Sequence, residues 1–142
     1  MPNDAWHKHW GFAALAALTV FLCMEHPEQL AGIALLDAGF IFGLFWLNPD
    51  VDTNSASRNA WGPLKFIWKN RLYHFSHRGI MHNPLLWIVP CVAIAAAWNL
   101  GYVEPVYVLT TCGVVLNALL HLAADTVMDR MHSSKLPVLK DI

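Results

Sequence analysis

Residues 30–52 read LAGIALLDAGFIFGLFWLNPDVD, an apolar run whose one charged side chain, Asp37, is followed by an abrupt polar exit at Asn48-Pro49-Asp50-Val51-Asp52. A run of this length approaches the about 20 residues that a helix needs to cross a hydrocarbon core. Asn48-Pro49 stops it, because proline carries no amide hydrogen to continue the helical ladder. The chain therefore leaves a helix end and delivers two carboxylates, Asp50 and Asp52, at once.

Three further apolar runs, at about 10–24, 84–103 and 106–124, lie outward from this stretch, the first and last being short for a crossing. Glu25-His26-Pro27-Glu28 separates the first run from the second, and Gly101 with Pro105 separates the last two. Asn83-Pro84 reads as an N-cap followed by proline at the first helical position. Ala, Leu and Gly dominate the runs, without the alternation of a strand. The expected fold is all-α: a four-helix membrane-embedded bundle forming one domain over residues 1–142, with two tight hairpins joined by a long loop at 48–83. Pro90, inside the third run, predicts a kink.

Composition agrees with this reading. The chain is 56% hydrophobic and 13% charged, which is about half the charge of a typical soluble domain. A net charge of -1 and the lack of a basic run argue against nucleic acid as a partner. Cys23, Cys91 and Cys112 are far apart in sequence and sit in apolar runs, so they read as buried free thiols. The start, Met-Pro-Asn-Asp with Lys8 as the only early cation, lacks a small-x-small cleavage pattern and reads as a retained first helix.

All nine basic residues (Lys8, Arg58, Lys65, Lys69, Arg71, Arg78, Arg130, Lys135 and Lys140) fall in the N-terminus, the middle loop or the C-terminal tail. The two tight turns carry Glu25, Glu28 and Glu104. If the runs cross a bilayer, the positive-inside rule places both termini and the middle loop in the cytoplasm, making this a multi-pass protein of the plasma (inner) membrane. Within the loop, Trp61, Leu64, Ile67, Trp68, Leu72 and Phe75 recur at steps of three or four, with Lys65, Lys69 and Arg71 on other faces. That pattern predicts an amphipathic helix, lying at a lipid interface or packed on the bundle.

Alternating helix directions bring several chemically active residues to one end. These are His7 and His9 at the start of the first helix, Asp50 and Asp52 after the second, His77 and His82 before the third, and His121 with Asp125 near the end of the fourth. His121 and Asp125 share a helical face at i,i+4 spacing. Gly79 allows the turn that lets both His77 and His82 face inward. Only one of His7 and His9 can point to the site, since i,i+2 residues do not share a face. Carboxylate oxygens and imidazole nitrogens are ligands for zinc, manganese and iron, and mixed sets of this kind often hold more than one ion. Asp37 is either a functional intramembrane acid or a structural partner for Asn99, Asn117 or a hydroxyl.

At these residues the chain resembles the YdjM-like family of membrane-associated, metal-dependent hydrolases and related metal-binding proteins of unknown activity. The matching elements are an early His7, Pro49-Asp50-Val51-Asp52, His77-Arg78-Gly79-Ile80-Met81-His82 and His121 to Asp125, together with Trp61-Gly62-Pro63-Leu64 and Trp68. One departure is Asn83, where members of that family commonly carry serine. The resemblance implies His7, Asp50, His77, His82, His121 and Asp125 as ligands, and Asp52 as a ligand or a base. It implies a divalent metal, zinc first with manganese or iron as alternatives. The expected activity is hydrolysis of a phosphoester such as a phospholipid headgroup, with Asp52 accepting the proton of a metal-bound water and Arg78 facing developing phosphoryl charge. The alternative expectation is a non-enzymatic membrane protein that binds metal for structure, sensing or assembly. Oligomeric state does not follow from the sequence.

Overall fold

The computed structural model describes residues 4–52, 55–69 and 80–133. Among them the secondary structure is helical, with no strand. Five α-helices run in order: α1 (Asp4–Glu25), α2 (Leu30–Phe45), a short α3 (Ala56–Ala60), α4 (Pro84–Asn99) and α5 (Pro105–Ser133). The four long helices match the four apolar runs. Three differ in extent: α1 begins at Asp4, α4 stops at Asn99, short of the run's end at 103, and α5 continues beyond the apolar run to Ser133. At about 1.5 Å per residue, α5 is about 43 Å long, well over the about 30 Å of a hydrocarbon core.

The α2–α5 contact dominates the molecule, with α1 packed mainly on α2 and α4 on α5. Glycine makes that contact close. A Cβ at Gly39 would collide with the Thr110 carbonyl, and one at Gly113 with the Leu36 carbonyl and the Phe40 amide. Gly43 lies against Val114 and Asn117. Contacts that advance together along both chains make the pair parallel, as alternating helix directions require. Gly39 and Gly43 form a Gly-x-x-x-Gly step, the small-residue spacing that lets helices approach where apolar burial supplies no net attraction between them. Hydrophobic periodicity does not reveal it.

Punctuation acts as the sequence predicts at α4: Asn83 accepts a hydrogen bond from the Leu85 amide at 3.0 Å, and Pro84 takes the first helical position. Among the described residues, the amphipathic helix predicted in the middle loop is formed in part, as a 3₁₀ helix over Gly62–Lys69 and not as an α-helix. Ser55 caps α3, Gly62 turns the backbone to φ 54°, and residues Gly62–Lys69 wind as a 3₁₀ segment with Leu64, Phe66 and Ile67 exposed. The left-handed conformation at Gly62 and the missing amide of Pro63 break the α-helical ladder that the periodicity implied. Leu72 and Phe75 lie outside the described residues. Cys91 and Cys112, distant in sequence, meet across α4 and α5 with their half-buried thiols 3.5 Å apart.

Two helical stretches, Pro27–Val51 and Pro105–Arg130, are long and apolar enough to cross a membrane, and α4 is a shorter apolar helix. Near mid-helix in α2, Asp37 receives the Thr19 hydroxyl of α1 at 3.0 Å. This is the hydroxyl partner among the structural alternatives for Asp37.

Candidate metal centre

The centre is assembled where α2 ends. Asn48 accepts the Asp50 amide on its Oδ1 at 3.0 Å, closing an Asx turn. Its Nδ2 donates to Ser57 Oγ at 2.6 Å and to the Leu44 carbonyl at 3.3 Å. The Val51 amide returns to the Asn48 carbonyl, making Pro49–Asp52 a 3₁₀ turn. Ser55 Oγ donates to the Asp50 carbonyl at 2.8 Å and accepts the Arg58 amide at 3.2 Å. Within this turn Pro49 and Val51 are fully buried. Val51 packs in a cluster with Met81, Trp87, Val115 and Ala118. Apolar burial of its neighbours and three backbone anchors thus hold Asp50 in place.

His82 arrives from the other side. The 3₁₀ turn Ile80–His82 leads into α4, and Trp87 Nε1 donates to the Met81 carbonyl at 2.7 Å, tying the turn to the first helical turns. Met81 is buried beneath, so His82 is presented beside Asp50. His121 and Asp125 come from α5 on one face, as their spacing requires.

Both His Nε2 atoms lie between the two carboxylates. His82 Nε2 is 3.6 Å from Asp50 Oδ1 and 3.4 Å from Asp125 Oδ2. His121 Nε2 is 3.3 Å from Asp50 Oδ2 and 3.6 Å from Asp125 Oδ2. Ligand atoms of Asp50, His82 and His121 all lie within 4.8 Å of one another. The side chains are largely enclosed: His121 is 6% exposed, His82 9%, Asp125 19% and Asp50 23%. These separations exceed a charge-assisted hydrogen bond, about 2.7–2.9 Å. The two shorter ones, 3.3 and 3.4 Å, equal the edge of a tetrahedron with metal–ligand bonds of about 2.0–2.1 Å, which is about 3.3–3.4 Å, and the two of 3.6 Å are slightly longer. The donor set therefore fits a first-row divalent cation.

The charge count points the same way. Two carboxylates carry two negative charges, and with neutral imidazoles a divalent cation brings the set to zero. His82 Nδ1 is buried without a hydrogen-bond partner among the described residues. An open cavity of about 290 Å³ adjoins the centre, lined by His82 and Asp125 together with Pro84, Leu119, Leu122, Ala123 and Thr126.

Four of the residues expected from sequence, Asp50, His82, His121 and Asp125, are thus brought together. His77 and Arg78 lie outside the described residues, as do the side chains of His7 and Asp52, whose backbones stand in α1 and in the 3₁₀ turn. Lys8 lies 5.5 Å from the Phe45 ring centroid, so α1 starts at the same end of the molecule as the centre, with His9 exposed. Asp129, one turn beyond Asp125, is exposed. Sequence reasoning missed the supports Asn48, Ser55, Ser57 and Trp87. Asn48 was open to discovery, since Asn-Pro-Asp after a helix is an Asx-turn pattern, whereas its bond to Ser57 has no local signal.

No solved structure matches this chain. A protein of Aquifex aeolicus (strain VF5), described as an uncharacterized protein, is 41% identical over 49 residues, covering 34% of this chain and 35% of its own length. The chain thus matches about a third of that relative. A family model described as "Uncharacterized metal-binding protein (DUF2227)" matches residues 2–98, which take in Asp50 and His82 and stop short of His121 and Asp125. That match covers more than half of the chain, and the protein belongs to this family of metal-binding proteins.

Proposed function

We propose that the protein is a multi-pass membrane protein that holds a divalent first-row metal ion through Asp50, His82, His121 and Asp125 at its cytoplasmic end. The observation that carries the reading is the grouping of ligand atoms of Asp50, His82 and His121 within 4.8 Å of one another, with Asp125 Oδ2 3.4 and 3.6 Å from the two imidazole Nε2 atoms. Charge balance supports a divalent ion, because two carboxylates in an apolar frame are costly without compensation. The membrane assignment is supported by the two long apolar helices, by the sorting of basic residues, and by outer faces that carry Phe21, Val20, Val89 and Val92 exposed. Only 28% of each spanning window is buried inside the protein, leaving the rest of its apolar surface for lipid. His121 and Asp125 stand about 24 and 30 Å along α5, so the centre falls at the boundary between hydrocarbon and headgroups.

A second reading, metal-dependent hydrolysis of a phosphoester, is favoured by the cavity that touches His82 and Asp125, from which a water or substrate oxygen can join the four side chains as a fifth ligand. When bound there, the metal supplies Lewis acidity and a water of lowered pKa. Purification without chelators, followed by elemental analysis, tests the first reading: about one equivalent of metal is expected, and a metal-poor, folded protein contradicts it. Phosphoester and phospholipid panels then separate the two. Turnover that needs metal supports the hydrolase, and a loaded protein that turns over none of them supports a structural or sensing role.

A further inference from the structure

From the composition of the cavity wall, we infer that the space beside the metal centre binds an amphiphile, a lipid-like molecule with an oxygen-donor head and an aliphatic chain. The inference rests on the metal reading and names the ligand class of that site. The polar part of the lining is His82 and Asp125, both of the centre. The rest is Pro84, Leu119, Leu122 and Ala123, with Thr126, whose hydroxyl hydrogen is committed to the Leu122 carbonyl at 2.8 Å. A sugar or nucleotide of about 290 Å³ would bring many donors and acceptors, and outside the metal centre the lining side chains offer them just the acceptor lone pairs of the Thr126 hydroxyl. An aliphatic chain needs none. The volume, about ten times that of one liquid water, suits a chain of several methylenes. Next in sequence to the lining residues Pro84 and Leu119, Leu85 is 60% and Leu120 39% exposed, so apolar surface of α4 and α5 open to lipid lies within a turn of the cavity. An amphiphile therefore reaches the metal from the bilayer, head towards His82 and Asp125, with its chain along Leu119, Leu122 and Ala123.

The test uses full-length protein in nanodiscs loaded with cobalt(II), whose visible d–d bands report a change at the ion without any assay of activity. Acetohydroxamate and octanohydroxamate serve as probes with the same head and different chains. Burial of even part of the longer chain predicts at least about tenfold tighter binding of octanohydroxamate. Ala123 and Thr126 are exposed positions in the wall, so Ala123→Trp and Thr126→Trp fill the cavity without entering the core. In either variant that keeps its cobalt spectrum, acetohydroxamate should bind as in the wild type, and the advantage of the longer probe should fall below about threefold. Val127→Trp, exposed and away from the cavity, should leave the advantage intact and so controls for partitioning into lipid. Equal binding of the two probes to wild type overturns the inference, as does a chain-length advantage that survives both cavity-filling variants. A folded wild-type protein that takes up no cobalt fails at the earlier step and overturns the metal reading itself.

Discussion

Between Leu36 and Gly43, α2 meets α5 through the absence of side chains; beyond the end of α2, at Asp50, the two segments meet through charge. In the first region the backbones come so close that glycine is the one residue that fits at 39 and 113. In the second, Asp50 from the turn after α2 and His121 with Asp125 from α5 approach to 3.3–3.6 Å around a common centre, with His82 from the turn before α4. The first region sets the distance and parallel register of the two helices, and the second uses them. A ligand set drawn from three separate segments does not select one arrangement by itself, and the glycine crossing supplies that selection.

The comparison breaks most sharply at the ligands. His121→Ala should lower metal affinity by at least about a hundredfold, because even groups that only orient ligands are worth about 10–100-fold. The α2–α5 crossing should survive, and elemental analysis beside far-ultraviolet circular dichroism checks both. Gly113→Leu attacks the other region. It forces bulk into the Leu36 and Phe40 backbone, should cost about 1–3 kcal/mol or more in denaturant unfolding, and should release metal although every ligand remains. Gly32→Ala sharpens the point: its nearest neighbour is a Leu109 methyl at 3.5 Å, so the change should be close to neutral in the same assay.

A smaller effect is expected at the hinge between the two regions. Asn48→Ala removes the Asx turn and the bond to Ser57 and should cost about 1–2 kcal/mol. Metal affinity, followed by competition with a chromogenic chelator, should weaken by about tenfold, since Asp50 loses its orientation.

Much of this was legible in the sequence because it is local. Proline and asparagine end the helices where they stand, Asn83-Pro84 caps α4, and His121 with Asp125 face one way by helical period alone. Gathering of Asp50, His82 and His121 at one end follows from counting helix reversals. What escaped is non-local or conformational. The Asn48–Ser57 bond joins a helix exit to a later helix, and the Gly39–Thr110 approach depends on which helices are neighbours. In the middle loop the helix type was hidden: the spacing of Trp61, Leu64 and Ile67 suits an α-helix, but the positive φ of Gly62 and the following Pro63 give a 3₁₀ helix. Apolar period does not distinguish these tighter turns when proline and glycine set the backbone.

The central claim is that Asp50, His82, His121 and Asp125 form one metal shell, and X-ray absorption at the metal edge, paired with elemental analysis, tests it most directly. Protein purified without chelators should hold about one divalent ion in a shell of nitrogen and oxygen with two imidazoles, and replacing His82 and His121 together by alanine should remove both the ion and the imidazole scattering. An ion retained with unchanged scattering in that double variant, or a folded wild type that binds none, would contradict the account.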